Sequence, residues 1–258
     1  MDRIMIRKIL TILILLSLSA LSYAAIDFDR ADDRMDCGTY LNMNSWPTMT
    51  VLAWVQYDGS GTNEHTVMNN FNASNPSFNW RIEPATDTQE IFLNMFNDTN
   101  VDLLCTDLAI PVNEWSLIGF RYDGSEVCCW VNGVESTTCT AFVGGMDQIG
   151  STGVSTIGGH ATFTGDDFGG PIAEVMLWDN DLTDKEMVDL YNARISRHAL
   201  QMKPDNLQFY QVFDNFPEGT NVDGENFHDY VVNPGVCTGD DQGNTTGLTS
   251  TAVPFSYP

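Results

Sequence analysis

The chain has 258 residues, with 11 basic and 35 acidic side chains and a formal net charge of −24. That length holds one large β-domain or two small ones. So acidic a surface repels nucleic acid and anionic lipid, which excludes both as partners and favours cations.

The first residues read as an export signal. Arg3, Arg7 and Lys8 precede an apolar run over 9–18, and Ser22-Tyr23-Ala24 offers small residues for cleavage after Ala24. Residues 1–24 are therefore set apart as a signal peptide. No other stretch reaches membrane-spanning length, so no span is expected after cleavage. Removing 1–24 takes away three basic residues and one acidic residue, which leaves 8 − 34 = −26.

Beyond the leader, alternation and turn signals recur about every ten residues. The segment 25–38 reads as a strand followed by an acidic turn. Strands follow over 48–57, 65–71, 77–83, 90–97 and 101–108. The clearest stretch is 115–139, WSLIGFRYDGSEVCCWVNGVESTTC. It is a three-stranded meander with Asp123-Gly124 and Asn132-Gly133 at its turns, pairs that supply the positive φ tight hairpins need. Further strands are expected over 154–158 and 171–178. One helix is expected over 184–197, opened by a capping box of Thr183 and Glu186 and carried by Met187, Leu190 and Tyr191. Residues 199–258 contain fewer β-rich runs, at 207–213 and 229–232, and read as an extension of a domain spanning 25–198, either packed on it or serving as a tether. The fold class is all-β: an antiparallel two-sheet sandwich with one short helix after the last core strand.

Six cysteines, Cys37, Cys105, Cys128, Cys129, Cys139 and Cys237, are an even set in an exported chain, which points to disulfides. Alternation sends Cys128 and Cys129 to opposite faces. Cys129 shares the inward face of Val127 and Val131. Cys128 shares a face with Cys139 but stands two residues out of register, so pairing them requires a bulge or a diagonal adjustment. There is no CxxC or paired Cys/His spacing of the kind a zinc site uses. Sequons at Asn72, Asn97 and Asn244 mark glycosylation sites for a eukaryotic secretory route.

The order of these pieces resembles the laminin G-like, concanavalin A-like jelly-roll family. FDRADDRM at 28–35 matches its opening FDGxDDYV segment. Trp54 stands at its strand tryptophan, and Trp115 with Phe120–Gly124 matches GxWTHVAxTYDG. Val131-Asn132-Gly133, Thr156–Gly159 and Gly170–Leu182 followed by Glu186 match its later motifs. The resemblance covers about 26–193 and implies a jelly roll that binds glycans or a cell-surface partner, with a structural Ca²⁺. Ala173 stands where the family often carries a calcium-linked Asp, and Arg30 replaces the FDG glycine. Asp29, Asp32 and Asp33 then remain as oxygen donors, and a rim site at Asp166 and Asp167 is the other expected metal position.

Glucan-cleaving relatives carry an ExDxE carboxylate cluster on one strand. This sequence has none, so the chain is expected not to be an enzyme. For ligand binding the candidate platforms are Phe78 and Trp80 on one strand, Trp130 on the face opposite Cys129, and Tyr122. A structural or adhesion role in an extracellular or virion surface assembly is the alternative, and a glucan-active hydrolase relative is the third reading.

Overall fold

The computed structural model describes residues 24–39, 43, 46–60, 64–71, 78–84, 89–96, 100–144, 154–160, 165–213, 219–228, 230–231, 236–241 and 249–252. The leader up to Tyr23 and the three sequon asparagines lie outside them. The strands in chain order are β1 (Ala24–Asp29), β2 (Asp33–Asp36), β3 (Met49–Gln56), β4 (His65–Phe71), β5 (Phe78–Pro84), β6 (Gln89–Phe96), β7 (Asn100–Cys105) and β8 (Trp115–Tyr122). They continue as β9 (Glu126–Val131), β10 (Val134–Ala141), β11 (Val154–Ile157), β12 (Gly169–Trp178), β13 (Leu207–Val212), β14 (Asn226–His228), β15 (Val236–Asp241) and β16 (Thr249–Ala252). One helix, α1 (Asp184–Ala193), lies between β12 and β13.

These strands form two antiparallel sheets. Sheet A has the order β10-β9-β8-β3-β12-β1-β16, and β13 pairs with the second half of β12 on the edge that β1 leaves free. Sheet B has the order β14-β15-β2-β11-β4-β5-β6-β7. The segment after 199 is thus built into both sheets: β13 and β16 extend sheet A, and β14 and β15 extend sheet B.

Burial patterns show which faces are covered. On β3 every residue but the last is buried, which matches its unbroken apolar run MTVLAWVQ. Met49, Val51, Ala53 and Val55 enter the core between the sheets, while Leu52 and Trp54 enter a second cluster with Met187 and Leu190 of α1. A strand apolar on both faces is what a sheet buried on both sides requires. β5 instead alternates: Phe78, Trp80 and Ile82 are buried, and Asn79, Arg81 and Glu83 are partly exposed. Sheet B therefore packs its inner face on the core and turns a polar face outward.

Three disulfides consume all six cysteines: Cys37–Cys237, Cys105–Cys129 and Cys128–Cys139. The first joins β2 to β15, and the second crosses from sheet B to sheet A. The third is made by a bulge, one of the two adjustments its register allowed. Between Glu135 and Cys139 the ladder shifts, so that Cys139 comes opposite Cys128. Asp107 holds that bulge by accepting from Ser136 Oγ at 2.5 Å and from Thr137 N at 2.6 Å. These bonds keep the Asp107 carboxyl down at about 2.

Several expectations are corrected. The acidic turn after β1 contains β2, whose Met35 enters the core. The helix ends at Ala193, not at 197, because Arg194 turns to φ 60. Residues 230–231 form a bend instead of a strand. At Asn132-Gly133 both residues have positive φ, as a two-residue hairpin requires, but at the other turn only Gly124 does. There Asp123 Oδ1 accepts from Ser125 N and Glu126 N and closes a longer loop.

Candidate functional site

Because Phe78, Trp80, Ile82, Ile91, Leu93 and Met95 point into the core, their alternates Asn79, Arg81, Glu90, Phe92 and Asn94 point outward. The register then aligns one outward side chain per strand. Thr238, Asp36, Thr156, Asn69, Asn79, Asn94 and Asp102 are successive cross-strand partners from β15 to β7. With strands spaced at about 4.8 Å, the row from Asp36 to Asp102 spans about 24 Å.

The row is polar, and at its centre it is incompletely bonded. Asn69 Nδ2 donates to Gly159 O at 3.4 Å, which fixes the way its amide faces. Thr156 Oγ1 donates to the same carbonyl at 2.5 Å, and Asn94 Nδ2 donates to Asp102 Oδ1. Asn69 Oδ1, Asn79 Oδ1 and Thr66 Oγ1 are buried atoms with no hydrogen-bond partner among the described residues. Buried polar atoms are normally satisfied, but Asn69 and Thr66 are fully buried and out of reach of a ligand, so the accessible part of the row is Asp36, Asn79, Asn94 and Asp102.

A second outward row consists of Thr66, Arg81, Phe92 and Leu104. The Arg81 guanidinium lies 3.9 Å from the centre of the Phe92 ring. Its Nη2 bonds Glu64 at 2.9 Å and Glu83 at 2.7 Å. Beyond Arg81, Glu83 and Glu90 face each other directly across β5 and β6. The segment after β11 crosses back over β4, where Thr66 N donates to Asp166 O at 2.9 Å. Gly158 takes a φ of +80°, and a Cβ there would meet the Phe28 ring at 2.0 Å. Glycine is what lets this segment pass so close.

Burial sets the protonation of the groups that this crossing carries. It pushes Asp167 up to about 6 and raises Asp166, with Arg81 opposing at Asp166. Burial, then Arg81 and Arg34, hold His160 down to about 4, so its ring is neutral over the physiological range. Glu64 is raised by burial, against Arg81.

The aromatic residues expected as ligand platforms lie elsewhere. Phe78 and Trp80 are fully buried and Tyr122 nearly so, all three in the core between the sheets. Trp130 does sit on the face opposite Cys129, but α1 and its neighbours cover that face and leave Trp130 3% exposed. A ring without open surface cannot stack on a sugar, so these four are structural. The metal expectations divide. Asp29, Asp32 and Asp33 bring ligand atoms within 4.8 Å of one another. Among the described residues no comparable group contains Asp166 or Asp167. Sequence reasoning missed Asn69, Asn79, Asn94 and Arg81. Their signal was the alternation in Asn79-x-Arg81-x-Glu83 and Glu90-x-Phe92-x-Asn94, but only the register shows that they align.

The two antiparallel sheets, covered by α1 on one side and polar on the other, make a jelly-roll sandwich. The chain belongs to the Concanavalin A-like lectin/glucanases superfamily, whose profile matches residues 32–187. Among solved structures it is similar to a candidate carbohydrate-binding protein from Bacteroides ovatus, at 18% identity and a TM-score of 0.62, over 90% of this chain and 60% of that one. It is also similar to the SAP-like pentraxin of Limulus polyphemus, at 16% identity and a TM-score of 0.54, over 67% of this chain and 84% of that one. The enzymatically active domain of tailspike protein 2 from bacteriophage CBA120 is a third, at 17% identity and a TM-score of 0.55, over 74% of this chain and 30% of that one. At these identities the likeness is one of fold. No curated protein sequence matches. No helix among the described residues is long and apolar enough to cross a membrane.

Proposed function

We propose that this protein is a secreted carbohydrate-binding module whose ligand lies along the outer face of sheet B. The observation that carries this reading is the outward polar row of sheet B, whose partly or fully exposed members Asp36, Asn79, Asn94 and Asp102 are aligned across the strands. Sugar hydroxyls can bond amides and carboxylates of this kind, and the row is long enough for several rings of an extended chain. The leader-like first 24 residues and the three disulfides support export to an oxidising compartment. Binding without cleavage fits the carboxylates, because Glu64 and Glu83 grip one nitrogen of Arg81 instead of facing each other across an open bond.

Removing one amide from the row is expected to cost about 1–2 kcal/mol of binding, roughly a tenfold loss. Titration of a neutral oligosaccharide found on a glycan array should show that loss in Asn79→Ala, with an unchanged unfolding midpoint. Full affinity in Asn79→Ala and Asn94→Ala alike would remove the site from this face. Release of reducing sugar from laminarin would overturn the non-catalytic part of the reading.

Calcium, in this reading, binds the turn between β1 and β2. The three donors there are carboxylate oxygens, a kind of ligand that Ca²⁺ takes. The turn is already shaped by Ala31 N donating to Asp29 Oδ1 at 2.9 Å and Asp29 N donating to Asp33 Oδ2 at 2.8 Å. Millimolar Ca²⁺ is expected to raise the unfolding temperature, and Asp32→Asn should abolish the rise. A midpoint indifferent to Ca²⁺ and to chelator would show that the turn holds no ion.

A further inference from the structure

The disulfides differ in how a reagent can reach them. Cys37, Cys237, Cys105 and Cys129 are fully buried in the core between the sheets. Cys128 and Cys139 lie on the outer face of sheet A, where Cys128 is 6% exposed and Cys139 is partly exposed. Exchange with a thiol depends on which sulfur can be struck, and the attack comes in line with the S–S bond, from behind that sulfur. Behind Cys128 stands β8, whose Arg121 is its direct cross-strand neighbour. Cys139 is on β10, the edge strand of sheet A, so no further strand of that sheet stands behind it among the described residues.

The backbone around this bridge is held without it. Before Cys139, Asp107 accepts from Ser136 Oγ and Thr137 N. After it, Thr140 and Ala141 pair with Val127 and Glu126, and the buried Phe142 donates its N–H to Ser125 O at 2.9 Å. Neither anchor uses a sulfur. Cys128 and Cys129 point to opposite faces of β9, so a thiolate freed at Cys128 is separated by the sheet from the Cys105–Cys129 bond.

We infer that Cys128–Cys139 is a reversible redox site, which small thiols open at Cys139 while the fold and the other two bridges stay intact. A thiolate attacks Cys139 Sγ. A mixed disulfide forms there as the Cys128–Cys139 bond breaks, and the electron pair leaves on Cys128, which takes a proton from water. A second thiolate attacks the reagent's sulfur in the mixed disulfide. The two reagent sulfurs depart as a disulfide, and Cys139 leaves as a thiolate that is protonated in turn. Two reagent thiols are thus oxidised, and one protein disulfide is reduced to two thiols. The anchors on either side keep the two sulfurs opposite each other, so the oxidised reagent closes the bond by the reverse steps. The inference is independent of the carbohydrate-binding reading.

The test uses the oxidised mature chain and mercaptoethanol. Its thiolate carries no second negative charge to be repelled by the Glu126 carboxylate, which lies within 4.8 Å of both sulfurs. After graded exposure, free thiols are blocked with N-ethylmaleimide and each cysteine is read by peptide mass. Cys128 and Cys139 are expected to be labelled at least tenfold faster than the other four, with an unchanged far-ultraviolet spectrum. The mercaptoethanol adduct is expected on Cys139, and adding the oxidised reagent should abolish the labelling. All bridges opening together, a core bridge opening first, or an adduct on Cys128 would overturn the inference. Labelling of Cys105 soon after Cys128 would do the same, because it would mean that the freed sulfur attacks its neighbour. The Cys128→Ser/Cys139→Ser variant gives a second measurement. It is expected to fold and to keep its two remaining bridges closed in the same reductant. A variant that fails to fold would show that the chain depends on this bond, and the site could not open in the native protein.

Discussion

Replacing Cys37 and Cys237 together with alanine is expected to destabilise the folded chain by about 5 kcal/mol, more than the loss of either other bridge. The reason is the length of chain that each bond closes. Cys37–Cys237 spans 200 residues, whereas Cys105–Cys129 spans 24 and Cys128–Cys139 spans 11. Loop-closure entropy gives about 3 kcal/mol for each of the shorter two. The long bridge also has a particular structural task. It fastens β15, and through it β14, to the middle of sheet B at β2. Both cysteines are fully buried, as is Cys105, so cavity costs are shared and the ordering should survive them. Urea unfolding of the three double variants would check this. If the Cys37/Cys237 variant is the least affected, the C-terminal strands are not held by the bridge.

Glu174 is the second place where a large effect is expected. Its carboxyl is buried on the outer side of sheet A, where Oε1 accepts from Arg197 N at 3.0 Å and from Tyr210 Oη at 3.0 Å. Burial raises it to about 7 despite those two donors and the nearby Arg197 charge. An unfolded glutamate titrates at its ordinary value of 4.5. Between about 4.5 and 7 the folded chain therefore binds a proton that the unfolded chain has released. Stability contributed by this group is complete below the unfolded value and is lost as pH rises through the folded one, about 3 kcal/mol in all. Glu174→Gln keeps the shape and an acceptor for both donors but cannot ionise. It is expected to match the native chain near pH 4.5 and to exceed its stability by about 3 kcal/mol near pH 8. An equal difference at both ends of the range would mean that Glu174 does not titrate within it.

Much of the sandwich was legible because its strands are held by local signals. The meander over 115–139 declared itself through turn residues and alternation, and the bulge before Cys139 was one of two adjustments that counting register left open. The failures are those of tertiary cover. Trp130 was assigned to the correct face, yet whether that face meets solvent depends on α1, some fifty residues later in the chain. β2 hides in DRMD, where three of four residues are charged. Its pairing with β11 and β15 makes it a strand. The helix seemed longer because Ile195 continues its apolar spacing, while the reversal at Arg194 has no glycine to announce it. β14, β15 and β16 are short and polar, and they become strands only through partners at the other end of the chain.

The candidate site was hidden for a related reason. A search for sugar platforms looks for tryptophan and tyrosine, and here those residues build the core. The outward row is made of asparagine, threonine and aspartate, residues that a linear reading assigns to loops. Each is unremarkable in its own strand. The six strands from β2 to β7 across sheet B place them side by side, and that order is a property of topology alone.

The most direct test of the central claim is a backbone-amide NMR titration of the isotopically labelled mature chain with the tightest oligosaccharide from a glycan array. The expected shifts cluster on β5, β6 and β7, at Asn79, Arg81, Asn94 and Asp102, and leave β9, β10 and α1 unmoved. Shifts confined to sheet A or its helix, with the outer face of sheet B silent, would contradict the assignment.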